Sequence, residues 1–238
     1  PIVGPDYDNP VYLGFFVKGA EYKLLGLIPM SRHFFGSTDG QPVHFLGTDK
    51  FGRDVLSRAI YGSRISLAIA LSVVAIVTVI GTSVGLISGY FGGPLDAWVQ
   101  RFVEVVLAFP QLPLYLALTS LIPVTAPTTV FLLFVVGVMS ALGWAQMSRE
   151  VRGKTLALAR IDYVRAAIAV GATDRRIIFQ HILPNVMSHV IVAVTLHIPS
   201  VVLLESFLGF LGFAVKPPLI SWGLMLQDTA TYSVIGSY

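Results

Sequence analysis

Three long runs without a charged side chain constrain this fold more than any other feature of the sequence. They cover residues 65–95, 105–148 and 177–204. About 20 apolar residues are enough for a helix to cross the hydrocarbon core of a bilayer, and helices satisfy their own backbone polar groups there. Charged residues make up 12% of the chain, against about 25% in soluble domains. The sequence therefore predicts an all-α, polytopic bundle of transmembrane helices.

The second run is long enough for two spans, and Pro123 and Pro127 divide it. A transmembrane domain is predicted over residues 65–213. Its four predicted spans lie at about 65–90, 98–121, 128–148 and 183–213.

Basic residues concentrate between the third and fourth predicted spans. Residues 149–176 hold seven of the 16 Lys and Arg residues, and such an excess is typical of cytoplasmic loops. We therefore expect the 149–182 loop to be cytoplasmic. Residues 1–64, with an amphipathic lead-in helix over 51–64, and the loop 214–238 should then be extracytoplasmic. The basic residues near 50–64 count against this orientation.

Four glycines recur at every fourth position of the first span and just beyond it. A stripe of small residues allows another helix to approach closely. We predict helix packing, within the bundle or against a partner, at Gly81, Gly85, Gly89 and Gly93.

The polar loop contains the pattern of a short surface helix followed by a sharp turn. Ala166 and Ala167 keep one surface flat enough for a partner groove to close on it. Gly171 permits the positive φ of a helix end, and Thr173 or Asp174 can cap a second helix that rises toward Pro184. This shape suits a segment that receives a push from a soluble partner.

The spacing of the alanine pair, Gly171 and the Leu183-Pro184 pair resembles the EAA loop of ABC importer permeases. Residues 44–67 and 205–223 resemble the second permease subunit of dipeptide, oligopeptide and nickel importers. Arg165 and His181 depart from the general pattern of the loop in the direction of this peptide branch. The resemblance implies a type I importer permease whose loop docks on an ATPase. The coupling residues that it implies are Asp162, Tyr163, Arg165, Ala166, Ala167, Gly171, Asp174 and Pro184.

This resemblance also implies the location and partners of the chain. The expected site is the bacterial inner membrane. The expected partners are a homologous second permease, two ATP-binding cassette ATPase subunits and an extracytoplasmic solute-binding protein. No cofactor is expected on this chain, because ATP and Mg would bind the ATPases, and no nucleic acid is expected. Subunits of this kind have six spans, so we expect the first and last spans of the family to lie outside residues 1–238.

Peptide is the expected solute, with nickel, glutathione or oligosaccharide as alternatives. An ion-coupled secondary transporter would need intramembrane carboxylates and repeat symmetry, which the nearly charge-free spans do not favour. A membrane enzyme would need a polar catalytic cluster, and we predict no enzymatic activity. The segment ending in Gly153-Lys154-Thr155 has Ser148 where a phosphate-binding loop needs glycine.

Glu205 is an ionisable residue near the end of the fourth span, and such residues are functional candidates. With Ser206 it could line the solute path, or it could pair with Lys216 or Arg64. His181, His189 and His197 recur at every eighth position, and we expect them to pack against neighbouring helices. No metal site is predicted, and Asp49, Arg53 and Asp54 fit a helix cap with local ion pairs.

Overall fold

The computed structural model describes residues 12–24, 28–40, 43–49, 51–123, 125–213, 215 and 217–230. The chain divides into two compact units, Pro1–Ser57 and Arg58–Tyr238. Each unit is described by itself.

The first unit contains a β-hairpin that the sequence did not lead us to expect. Strands β1 (Leu13–Leu24) and β2 (Ile28–Ser37) are antiparallel, with Phe15 opposite Phe35. Aromatic and β-branched residues favour strands, and cross-strand aromatic pairs stabilise them. The predicted all-α fold is therefore wrong for this segment and applies only to the second unit.

The first helix, α1 (Val55–Phe91), has 37 residues. At 1.5 Å per residue it is roughly 55 Å long, well beyond the ~30 Å hydrocarbon core. Residues 55–64 of the predicted lead-in helix and the predicted first span are therefore parts of one continuous helix. The prediction was wrong for residues 51–54, which precede this helix.

The second predicted span, 98–121, is divided into two helices. These are α2 (Gly93–Ala108) and α3 (Gln111–Thr119), which meet at an angle of 80°. Phe109 is extended, with φ −78° and ψ 135°, because a residue that precedes proline is disfavoured in the helical region. Pro110 thus causes the bend.

The third predicted span continues beyond its expected end. Helix α4 (Thr128–Leu158) runs ten residues past 148, so several basic residues expected in a loop lie on its last turns. The short helix α5 (Asp162–Ala169) follows.

The last long helix is one helical run of 40 residues, Asp174–Phe213. It consists of α6 (Asp174–Arg176), the π-helical segment π1 (Ile177–Ile182), α7 (Leu183–Leu208) and a second π-helical segment, π2 (Gly209–Phe213). Helix α8 (Trp222–Ala230) ends the described chain.

Within the described residues, three helices are long and apolar enough to cross a membrane, or four spans result if the bent pair counts as one. The core lies between α1, α4 and α7, where Val73, Met147, Val151, Val186 and Val190 are almost completely buried. Helix α4 also packs against α2 and α3.

Candidate functional site

The candidate site is the turn formed by α5 and the start of the last long helix. Gly171 adopts φ +86°. The Gly171 N–H donates to the Ile168 carbonyl at 2.9 Å, and the Ala172 N–H donates to the Ala167 carbonyl at 3.0 Å. This pair of bonds is the Schellman motif, in which a left-handed residue, usually glycine, ends a helix.

Helix α5 inserts a single side chain into the protein. Val164 is fully buried, whereas Ile161 and Ile168 are 40% and 51% exposed. The helix therefore lies along the surface, with only Val164 pointing fully inward. Asp162, Tyr163, Arg165 and Ala166 are exposed, and Ala167 is half-buried.

Two side-chain hydrogen bonds attach this turn to the long helices. The Asn185 Nδ2 group on α7 donates to the Tyr163 hydroxyl at 3.2 Å. The Tyr90 hydroxyl, one residue before the end of α1, donates to the Asp174 carboxylate at 2.7 Å. Thr173 caps the helix that begins at Asp174, because its hydroxyl accepts from the Arg176 N–H at 3.4 Å.

Pro184 lies in the first turn of α7, directly after the π-helical segment. A proline inside a helix has no N–H and its ring clashes with the carbonyl four residues earlier. Here the Leu183 N–H donates to the Ile178 carbonyl, five residues earlier, which is the wider π-helical pattern. The Asn185 side chain also donates to the His181 carbonyl at 2.6 Å. The helix therefore stays continuous through Pro184 by a local change of hydrogen-bond pattern.

An ion pair that was not predicted from the sequence joins three helices near this turn. Arg152 on α4 donates two hydrogen bonds, of 2.6 and 2.5 Å, to the Asp96 carboxylate on α2. The Ser88 hydroxyl on α1 also donates to Asp96, and Gln100 donates to Ser88 at 3.2 Å. The only signal in the sequence is that Asp96 is the first charge after a 31-residue run without one.

Three of the four stripe glycines lie at the contact between α1 and α4. A Cβ at Gly81 would be 2.6 Å from the Met147 Cβ, and a Cβ at Gly89 would be 2.8 Å from the Thr155 Cβ. Gly85 is equally close to α4. Gly93 lies apart from this contact, with φ +62° and open space around it. The fourth glycine therefore serves the turn between α1 and α2.

Glu205 and Ser206 are buried, with 4% and 8% of their surfaces exposed. The Ser66 hydroxyl donates to the Glu205 carboxylate at 2.9 Å, and Ser206 and Ser221 also donate to it. The Arg64 guanidinium lies instead over the Tyr61 ring, at 5.1 Å. Lys216, the other proposed partner, is outside the described residues. In this conformation the carboxylate is held by hydroxyl groups inside the chain, and its role in a solute path stays a prediction.

Two of the three regularly spaced histidines have polar neighbours. The His181 ring lies 6.3 Å from the Tyr163 ring, and His189 Nε2 lies 3.6 Å from the Glu150 carboxylate. Among the described residues, no three His, Asp or Glu side chains come together as a metal ion would need.

At the start of α1, two carboxylates form the local cap that their spacing suggested. Burial alone would raise the pKa of Asp49, but hydrogen bonds from the Arg53 and Phe51 N–H groups and the Arg53 side chain lower it to about 2. Hydrogen bonds from Ser57, and then from His44, lower the pKa of Asp54. Both carboxylates accept hydrogen bonds that stabilise the start of α1, and we assign them no catalytic role.

The fold and site define a polytopic helical membrane protein with a short surface helix attached to two long spans. Residues 81–237 match the family of binding-protein-dependent transport system inner membrane components, and this chain belongs to that family. As the resemblance predicted, it is an inner membrane protein of the ABC permease class.

Several curated relatives are similar over most of this chain. An oligopeptide transport system permease protein of Haemophilus influenzae is 42% identical, over 79% of this chain and 58% of its own length. A dipeptide transport system permease protein of Bacillus subtilis is 39% identical, over 78% of this chain and 56% of its own length. A glutathione transport system permease protein of Pectobacterium atrosepticum is 35% identical, over 82% of this chain and 63% of its own length. The matched region thus spans roughly three fifths of the length of these relatives.

Proposed function

We propose that this chain is a permease subunit of an ATP-driven importer that carries peptides across the bacterial inner membrane. The oligopeptide and dipeptide permeases among its relatives support peptide as the solute. The glutathione permease is less similar, at 35% identity, but glutathione is itself a small peptide, so it is the alternative solute. This chain performs no catalysis and binds no cofactor in the proposal.

The observation that carries the proposal is the apolar surface on and beside α5. Val170 is 85% exposed, beside the half-exposed Ile168 and Tyr163. Asp162 and Arg165 are exposed on the same helix, so lipid is an unsuitable environment for this surface. Exposed apolar groups rimmed by charged ones are typical of protein interaction sites.

A basic hollow lies at the start of the last long helix, which follows α5 in the chain. Its volume is about 340 Å³, and Thr173, Arg175, Arg176, Phe179 and Gln180 line it. Two guanidinium groups suit carboxylates on the partner, since arginine binds carboxylates through paired hydrogen bonds. The partner in the proposal is a cytoplasmic ATPase subunit, and its closure would push on α5. A second, homologous permease and an extracytoplasmic solute-binding protein complete the proposed importer.

The test replaces Gly171 with valine and, as a matched control, with asparagine. Both side chains have open space, since nothing lies within 4 Å of a Cβ at this position. They differ in backbone preference, because asparagine tolerates positive φ and a β-branched residue does not. We expect Gly171→Val to reduce ATP-driven peptide uptake and ATPase association while Gly171→Asn retains most of both.

Uptake is measured with the full-length permease, its partner permease, the ATPases and the binding protein in proteoliposomes. If Gly171→Val and Gly171→Asn transport equally well, the docking role of this turn is wrong. If the unmodified complex moves solute without ATP, the importer proposal itself fails.

A further inference from the structure

A hollow in the middle of the helical bundle has a polar rim that the proposed coupling mechanism does not use. Its volume is about 180 Å³, and its walls come from α1, α3, α4 and α7. Val73, Val77 and Met139 form the apolar part. Gln111, Gln146, His197 and Ser200 supply the polar groups.

The hollow lies at the middle of the spans. Val73 is the central residue of α1 (Val55–Phe91), and Met139 lies at the centre of the predicted span 128–148, whereas Gln146 lies two residues before the end of that span. His197 is close to the centre of the 40-residue run Asp174–Phe213. In a membrane the positions of Met139 and His197 correspond to the depth where a polar side chain has the least access to water or headgroups.

The polar side chains face outward from this chain at that depth. Gln111, Gln146 and Ser200 are exposed, and His197 is half-buried. Gln111 lies near the centre of the predicted span 98–121, where a glutamine is too short to reach the headgroup region and hydrocarbon offers it no hydrogen bond. This side of the bundle therefore faces water, a polar partner or one of the spans expected outside residues 1–238, rather than lipid.

A polar line continues from the hollow toward the turn formed by α5 and the start of the last long helix (residues 162–176), which we call the coupling turn. Gln146 Nε2 donates to the Glu150 carboxylate at 2.8 Å. The other oxygen of Glu150 lies 3.6 Å from His189 Nε2 on α7. His189 lies in the predicted span 183–213, and ionisable groups in spans face bundle interiors or water-filled paths, so this line indicates that the hydrated side begins at the end of the predicted span 128–148.

We propose that this hollow is a subsite of the solute path that holds one residue of a passing peptide. The inference rests on the proposed function. Glutamine amides can donate to and accept from the peptide backbone, while the valine and methionine wall accepts an apolar side chain. A volume of 180 Å³ is smaller than the ~300–1,000 Å³ of sites that enclose a whole ligand. The subsite thus suits one residue, as a path for peptides of varied sequence requires.

The shape of the hollow favours a solute over a helix of the partner permease. Helices in membranes approach one another closely at small residues, whereas this surface is recessed behind glutamine and histidine side chains. Helix α7, which contributes His197 and Ser200, is continuous with Pro184 and the coupling turn. A displacement of that helix would change the hollow directly.

Cysteine accessibility tests the subsite, because these 238 residues contain no cysteine. Gln146→Cys is compared with Leu133→Cys on the same helix, and His197→Cys with Leu196→Cys. The two control leucines, Leu133 and Leu196, are 73% and 65% exposed. They therefore show how fast a cysteine reacts when it is exposed on the surface of the chain but does not line the hollow. Each variant is assembled with its partner subunits in nanodiscs and treated with a cationic, membrane-impermeant thiosulfonate, with and without trialanine and binding protein.

We expect the Gln146 and His197 variants to react about tenfold faster than their controls, because the reagent needs a thiolate, which forms only where water is present. We also expect trialanine to slow their reaction during turnover. Equal rates in test and control pairs would place lipid at the hollow, and slow reaction with cross-linking to the second permease would place a partner helix there. Fast reaction that peptide leaves unchanged, in a complex that transports, would also overturn the subsite.

A kinetic variant separates this proposal from the proposed function. Gln146→Leu keeps the approximate volume and removes the amide, so we expect KM for peptide uptake to rise about 2- to 10-fold, the range for one hydrogen bond. Leu133→Ala should leave KM unchanged. An unchanged KM in Gln146→Leu argues against the subsite, whereas a wild-type complex without ATP-dependent uptake argues against the importer.

Discussion

Replacing Gly85 with alanine tests the close contact between α1 and α4. A Cβ at this position would lie 2.6 Å from the Ser148 carbonyl oxygen and 2.8 Å from the Val151 Cβ. The first of these atoms is backbone, so it cannot move away without its helix. Because carbon atoms pack at about 3.5–4.0 Å, the two helices would have to separate by about 1 Å.

The magnitude follows from this separation. A gap of 0.5–1 Å forfeits about a quarter to a half of the dispersion attraction across the contact, and overpacked interiors lose roughly 1–3 kcal/mol. For a chain of this size, each kcal/mol lowers Tm by about 2–4 °C. We therefore expect Gly85→Ala to lower the Tm of the purified complex by about 2–12 °C.

Gly137→Ala is the matched control. Gly137 lies inside α4, and a Cβ there would meet nothing within 4 Å. Alanine is favoured over glycine in a helix by up to about 1 kcal/mol, so this variant should leave Tm unchanged or raise it. Thermal unfolding is followed in detergent micelles by circular dichroism or tryptophan fluorescence. Equal shifts of the same sign in the two variants would refute the close packing of α1 against α4.

Three further substitutions test the attachments around the coupling turn and the start of α1. Arg152→Gln should destabilise the protein by roughly 1–3 kcal/mol, because it leaves the partly buried Asp96 carboxylate without its cation; the loss is smaller than for a fully buried ion pair. The double substitution Arg152→Gln with Asp96→Asn should recover part of this loss in a thermal melt. Tyr90→Phe removes the hydroxyl that donates to Asp174, so we expect faster amide exchange at residues 171–176 and less uptake per ATP hydrolysed. Tm should be nearly unchanged. Unchanged amide exchange would contradict the role of this hydrogen bond. Asp49→Asn should reduce protection of the Phe51 and Arg53 amides at neutral pH. In the unmodified chain the same protection should persist at pH 4 and be lost only near pH 2, because the lowered pKa of about 2 keeps the carboxylate charged below its ordinary value; loss already at pH 4 would exclude this assignment.

Local signals in the sequence were enough to predict the coupling turn. Gly171 and Thr173 act within a few residues, since one ends a helix by its φ and the other caps the next helix. The structure has the short helix and the turn where these residues predicted them. The role of that turn in docking an ATPase stays a prediction, because it depends on a second protein.

Contacts between distant residues could not be predicted in this way. Asp96 and Arg152 are 56 positions apart, and no periodic pattern connects an acid on one helix with a base on another. The contact between Glu205 and Ser66 spans 139 positions, and the sequence suggested cations as partners instead. Composition could identify the membrane bundle, because burial of apolar groups depends on few details, but the pairing of single polar groups depends on the final packing.

The geometry also indicates how a push on α5 would be divided within the bundle. The turn is attached to α7 through Asn185 and to α1 through Tyr90, and α1 is in close contact with α4 along the three glycines. A contact this close transmits displacement from α1 to α4 with little loss, because packed interiors have low compressibility. The π-helical segment before Pro184 is, by contrast, a site where hydrogen bonds change pattern without breaking the helix. We therefore expect α1 and α4 to move together and α7 to bend relative to them. That relative motion would open or close the hollow between Val73, Gln146 and His197, where the two sides meet.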